Sequence, residues 1–141
     1  MLKYNNKNRF LNGEIQFRVW PQFATSIIPA QFTQVPYKIV YSNGDLDPLH
    51  IFNCSLNVLG TLISVVDITP VIRDDLSKAD VRYLLGRTIE AAENLAKSLD
   101  KVKVVVSTNI EAIVDVFVER DYVHARRHRI LGFKGVKGNL K

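Results

Sequence analysis

The residues best placed to do chemistry lie between Asp67 and Val81, where an apolar strand is predicted to run out at Pro70 and a long amphipathic helix to begin. Asp67, Arg73, Ser77 and Lys78 fall within it. A strand, a crossover helix and a parallel strand make a unit whose mouth holds phosphorylated cofactors in many α/β domains. Residues 58–106 have that layout, so a site is expected at this mouth. Asp67 is an acid on the predicted central strand. At that depth a carboxylate is costly without a partner, the setting that tunes such a group for proton transfer; a solvated or paired acid at a strand end is the alternative.

Basic residues concentrate at the other end. Arg126, Arg127, Arg129, Lys134, Lys137 and Lys141 stand against Asp121 alone in the last 21 residues, and the net charge of +5 arises entirely there. Such an end can engage nucleic acid, an acidic protein surface or an anionic cofactor, and it can equally serve solubility. Few aromatics accompany the arginines, so base stacking has little support. His50, His124 and His128 are the only histidines and Cys54 the only cysteine. They have no ligand spacing, so no metal is expected. Cys54, between Phe52 and Leu56, reads as a small buried hydrophobe. No P-loop, Gly-x-Ser-x-Gly or paired-glycine fingerprint is present.

The elements that must position these residues follow from periodicity. Glu14–Trp20 alternates, with Ile15, Phe17 and Val19 on one face, and reads as a half-buried strand ended by Pro21. Pro29 leaves room for only short helical turns before Pro36. Tyr37–Tyr41 reads as a strand entering a turn at Ser42–Asp45. Strands are expected over His50–Leu56 and Leu59–Ile68, with Gly60 marking a bulge or a close backbone approach. Ser77 and Asp80 have capping-box spacing. Val81, Leu84, Leu85, Thr88, Ile89, Ala92, Leu95, Ala96 and Leu99 then recur at helical spacing, with Arg82, Arg87, Glu90, Glu93, Asn94 and Lys97 opposite; Glu93 and Lys97 form an i, i+4 pair. A strand over Val102–Ser107 leads to a second helix capped by Thr108 or Asn109, striped by Ile110, Ile113, Val114, Phe117 and Val118. A closing strand, or a hairpin around Gly132, ends the chain.

At 141 residues, the length suits one domain with one core. The expected division is a polar lead over 1–13, a domain over 14–136 and a basic tail over 137–141. No stretch reaches the ~20 apolar residues of a membrane span, and the Asn- and Lys-rich start lacks the apolar core of a signal peptide, so a cytoplasmic location is expected.

The order strand, short helical region, three strands, long helix, strand, helix, strand resembles the GCN5-related N-acetyltransferase (GNAT) superfamily over roughly residues 14–136. Asn109-Ile110-Glu111-Ala112, the later Phe117 and Asp121-Tyr122-Val123 resemble the family's Asn-x-x-Ala, late aromatic and Gly-Phe; Thr69-Pro70 with Arg73 resembles its strand end. The resemblance implies an α/β (α+β) fold, with a mixed, mostly antiparallel sheet around a parallel strand-helix-strand core and two main helices. It implies acetyl-CoA as cofactor, with Arg73, Ser77, Lys78 and Asn109 as contacts, Asp67 as general base and Tyr122 as a substitute general acid. Tyr122 also matches the family's packing Phe. In the family a loop Arg/Gln-x-x-Gly-x-Gly/Ala cradles the coenzyme pyrophosphate with backbone amides. Here the glycine positions are Leu76 and Lys78, and Asp74 and Asp75 lie where an anion should be received. The family's tyrosine on the second helix falls at Val116 or Phe117, neither of which carries a proton to give.

A narrower resemblance is to small GNAT-like proteins of short-tailed bacteriophages. It implies a structural or interaction role in a virion or its assembly, protein partners, and DNA contact through Arg126, Arg127, Arg129, Lys134 and Lys137. No cofactor is expected on this reading. The alternative is an active acetyl-CoA-dependent N-acyltransferase with a divergent loop, which would use acetyl-CoA if the site is intact.

Overall fold

The computed structural model describes residues 10, 12–19, 35–44, 48–128 and 132–140. The helical turns expected between Pro21 and Pro36 lie outside them, as do Arg129 and Lys141. Among the described residues, alternating and β-branched stretches build seven strands: β1 (Glu14–Val19), β2 (Val35–Ser42), β3 (Leu49–Leu59), β4 (Leu62–Pro70), β5 (Lys103–Thr108), β6 (Val123–His128) and β7 (Gly132–Lys137). They form one sheet in the order β1-β2-β3-β4-β5-β7-β6, in which β4 and β5 pair in parallel and every other neighbouring pair is antiparallel. The mixed sheet with a parallel strand-helix-strand core and two helices is the fold class that the element order implied.

Several boundaries differ from expectation. The strand expected over Leu59–Ile68 starts later, at Leu62, and runs two residues further, ending at Pro70, which pairs with Phe52. Gly60 marks neither a bulge nor a close approach. It takes φ +49 in the tight turn between β3 and β4, and a Cβ there would meet nothing within 4 Å. The bulge falls seven residues on, at Asp67: Asn53 lies opposite Thr69 and Ser55 opposite Val66, so Asp67 and Ile68 together face Cys54, with Asp67 at φ 56.

Helix α1 spans Lys78–Ser98. Its capping box forms as the spacing predicts, the Asp80 amide donating to Ser77 Oγ at 3.1 Å and the Ser77 amide to Asp80 Oδ2 at 2.9 Å. Leu84, Leu85, Ile89 and Ala96 are buried in one cluster with Ile63, Val65, Val104 and Val106 of the parallel strands. At ~1.5–3 kcal/mol for each large apolar side chain buried, this interface holds the helix across the strands. Leu99, the C-cap, is 44% exposed. On the other helix face the Glu93–Lys97 pair gives way to a tertiary one. Glu93 accepts from the Tyr122 hydroxyl at 2.8 Å and from Lys137 Nζ at 3.2 Å, because that face meets the C-terminal hairpin rather than solvent.

The second helix, α2, is only Val114–Glu119, preceded by a 3-10 turn over Glu111–Ile113. Neither Thr108 nor Asn109 caps it. Val118 is 47% exposed and Val116 is buried in its place, since the 3-10 turn rotates the stripe. Phe117 stacks on Phe133 with centroids 5.7 Å apart and meets Tyr122 edge-on at 6.3 Å. Gly135 lets this cluster close, as a Cβ there would lie 2.8 Å from the Phe133 ring.

Candidate functional site at the carboxyl ends of the parallel strands

In α/β sheets ligands bind outside the carboxyl ends of the strands, and here those ends diverge. The β4–β5 ladder runs from Leu62 opposite Lys103 to Val65 opposite Val106, then stops, although β4 continues to Pro70 and β5 to Thr108. The bulge at Asp67 redirects β4 at this point. Two hydroxyls cross the wedge in place of the ladder. Ser107 Oγ accepts from the Asp67 amide at 2.9 Å, and Thr108 Oγ1 donates to the Ile68 carbonyl at 2.7 Å while accepting from the Ile110 amide at 3.0 Å. Ser107 did not stand out in the sequence and Thr108 did so only as a candidate helix cap, because two hydroxyls at a strand end carry no distinctive spacing.

Asp67 itself is exposed. The burial that would have tuned it as a base is absent, because the bulge turns this position out of the strand's buried alternation. Its amide, rather than its carboxylate, takes part in closing the wedge.

At the mouth above, Arg73 makes a bidentate pair with Asp75, Nε at 2.8 Å and Nη2 at 3.0 Å. That hydrogen bond raises the guanidinium's affinity for its proton. Leu76 packs against the core and Lys78 is exposed. Ser77 is engaged in the capping box, so its amide and that of Asp80 already have acceptors. Farther along α1, Arg82 donates to both carboxylate oxygens of Asp115, at 2.8 and 2.7 Å, and to the Ala112 carbonyl at 3.2 Å. The hydrogen bonds from Arg82 hold the Asp115 carboxyl below its usual range. Both arginines are therefore matched by carboxylates of this chain. Asn109 is exposed, and its Oδ1 packs where a Cβ on Gly132 would come to 2.5 Å, so it lies against the start of β7.

Tyr122 is 2% exposed, and burial followed by the hydrogen bond to Glu93 pushes its phenol pKa up. Lys137 Nζ sits 5.8 Å over its ring. This polar cluster ties α1 to the hairpin and removes Lys137 from the free basic surface. Lys134 is exposed on β7. Arg126 and Arg127 take the register positions opposite Lys134 and Phe133 on the edge strand β6.

The residues present do not fit a coenzyme A pyrophosphate. A phosphate cradle needs free amides converging at the helix start and glycines that permit it. Here the capping box takes the Ser77 and Asp80 amides, the arginine is paired with Asp75, and side chains stand at both glycine positions. Away from the mouth, an open groove of about 340 Å³ between β1 and α1 is lined by Glu14, Ile15, Arg87, Glu90, Ala91 and Asn94. Arg87 directs its guanidinium to the Phe10 and Gly13 carbonyls, at 2.6 and 2.7 Å.

No family model matches the chain, and no curated protein sequence matches it. Solved structures do. A domain from Methanocaldococcus jannaschii aligns over 89% of this chain and 99% of its own, with a TM-score of 0.57 at 9% identity. The N-terminal domain of a ribosomal-protein-alanine acetyltransferase from Clostridium acetobutylicum covers 98% and 95%, with a TM-score of 0.54 at 14% identity. A Klebsiella pneumoniae chain assigned as an acyl-CoA N-acyltransferase covers 90% and 97%, with a TM-score of 0.52 at 14% identity. With these neighbours and this strand order, the chain has the fold of the GCN5-related N-acetyltransferases.

Proposed function

We propose that this chain is a GNAT-fold protein that has lost the cofactor chemistry and serves a structural or interaction role, as a component of a bacteriophage virion or of its assembly. The observation that carries the first half is the internal occupation of the mouth: Asp75 takes the guanidinium of Arg73, and the capping box takes the Ser77 and Asp80 amides at the helix start. The buried Tyr122, donating to Glu93, is not placed to protonate a leaving thiolate. The second half rests on the resemblance to small phage proteins and on the basic C-terminal end, whose partners would be assembly proteins or packaged DNA. An active N-acyltransferase is favoured by one observation, the divergence of β4 and β5 beneath the α1 N-terminus. Calorimetric titration with acetyl-CoA decides between them. The expected result is no heat at millimolar cofactor; micromolar binding overturns the proposal.

A further inference from the structure

We propose that the sheet face turned away from α1 carries a transverse basic row that binds the phosphate backbone of a nucleic acid. Directly opposite residues of paired strands share a face, and the register lines them up. Arg18 lies opposite Lys38, Lys38 opposite Asn53, and Asn53 opposite Thr69; across the wedge, Ser107 lies opposite Lys134. These belong to one face. Ile63, Val65, Val104 and Val106 point into the α1 core, so Val66 and Ser107, one residue on, point the other way. Val66 lies opposite Ser55, two residues from Asn53. On β1 the side chains of Glu14, Gln16 and Arg18 bond to one another along this face, while Ile15 and Phe17 pack on the core.

The row is accessible, with Arg18, Thr69 and Lys134 exposed and Lys38, Asn53 and Ser107 half-buried. No acidic side chain among the described residues pairs with Lys38 or Lys134. Arg18 rests on the neutral Gln16 amide, at 3.0 and 2.6 Å. Asp67, exposed at the bulge, and Glu14, four residues before Arg18 on β1, oppose an anion there and are outnumbered by the three cations. Arginine, lysine, asparagine, threonine and serine are side chains that bond phosphate and sugar oxygens. With strands ~4.8 Å apart, the row from β1 to β7 spans about 24 Å, the length of about seven phosphates of one strand. A regular polyanion matches that line of cations and neutral donors better than an irregular acidic protein surface does. Contacts to phosphate and sugar oxygens carry no base identity, so binding is independent of base sequence.

This deepens the interaction role proposed above and is tested apart from the cofactor titration, so either can fail alone. Fluorescence anisotropy of a labelled 20-base-pair DNA duplex should show binding by the full chain. With three phosphate contacts, affinity should fall about forty-fold between 50 and 200 mM salt. Lys38→Gln with Lys134→Gln should bind more weakly and lower that fall to about three- to fourfold; both lysines stand clear of the core, and a thermal melt matching wild type shows the fold intact. Three results overturn the proposal: no duplex binding at 50 mM salt, affinity indifferent to salt, or a double variant that binds like wild type. Loss of binding only in an Arg126→Gln, Arg127→Gln, Arg129→Gln variant assigns the activity to the C-terminal end and overturns the row. So does binding of polyglutamate in place of DNA.

Discussion

Replacing Thr108 with valine tests how the wedge between β4 and β5 is held. The side chain is 1% exposed, and valine fills the same volume, so no cavity term enters. What is lost is a pair of hydrogen bonds, at 2.7 Å to the Ile68 carbonyl and at 3.0 Å from the Ile110 amide. A stranded buried polar group costs ~1–3 kcal/mol. The Ile68 carbonyl carries that penalty in full, and the Ile110 amide, only partly buried, carries less. Together they predict a loss of about 2–3 kcal/mol, or about 1–2 M in urea midpoint at an unchanged slope of about 1.5 kcal/mol/M. Ser107→Ala is the matched control. The Asp67 amide it releases is exposed and can turn to water, so the cost should stay under about 0.5 kcal/mol. Paired urea titrations would refute this if Thr108→Val lost less than about 0.5 kcal/mol, or if the two variants cost the same.

Burial pushes the Cys54 thiol from 9.0 up to about 12. A raised folded-state value means that its contribution is complete below pH 9 and is lost as pH rises through that interval, at about 1.4 kcal/mol per pH unit. Tyr122, also raised, acts with the same sign. Urea midpoints measured from pH 8 to 11 should therefore fall more steeply for wild type than for Cys54→Ala, and parallel curves would exclude the buried thiol as the cause. Two glycines should respond in opposite directions. Gly135→Ala places a Cβ 2.8 Å from the Phe133 ring and should cost about 1–3 kcal/mol. Gly86→Ala in α1 meets only the movable end of Arg120, at 2.9 Å, and should be neutral or stabilising by up to ~1 kcal/mol; thermal melts of the two variants check both signs.

Local signals were legible where one element's own residues carry them. The α1 stripe and its Ser77–Asp80 cap needed only 3.6-residue periodicity and a spacing of three, and both form. The parallel β4–α1–β5 unit followed from two apolar runs around a helix. Boundaries slipped where a neighbouring strand adds hydrogen bonds that sequence does not encode, as at Pro70, or where one residue takes a left-handed conformation, as at Gly60 and Asp67.

The candidate site was legible mainly in what it lacks. Leu76, Lys78 and the Asp74–Asp75 pair were enough to place side chains where a phosphate cradle needs glycines, because that requirement is local backbone chemistry. Which carboxylate would hold Arg73 or Arg82, that Glu93 would turn from Lys97 to Tyr122 and Lys137, and that Asp67 would stand outside the core depended on neighbours 2 to 44 residues away along the chain. The transverse row is the clearest case. Arg18, Lys38, Asn53, Thr69, Ser107 and Lys134 share no spacing in the sequence, and only the register of six strands, with the bulge between Asn53 and Ser55, brings them onto one face.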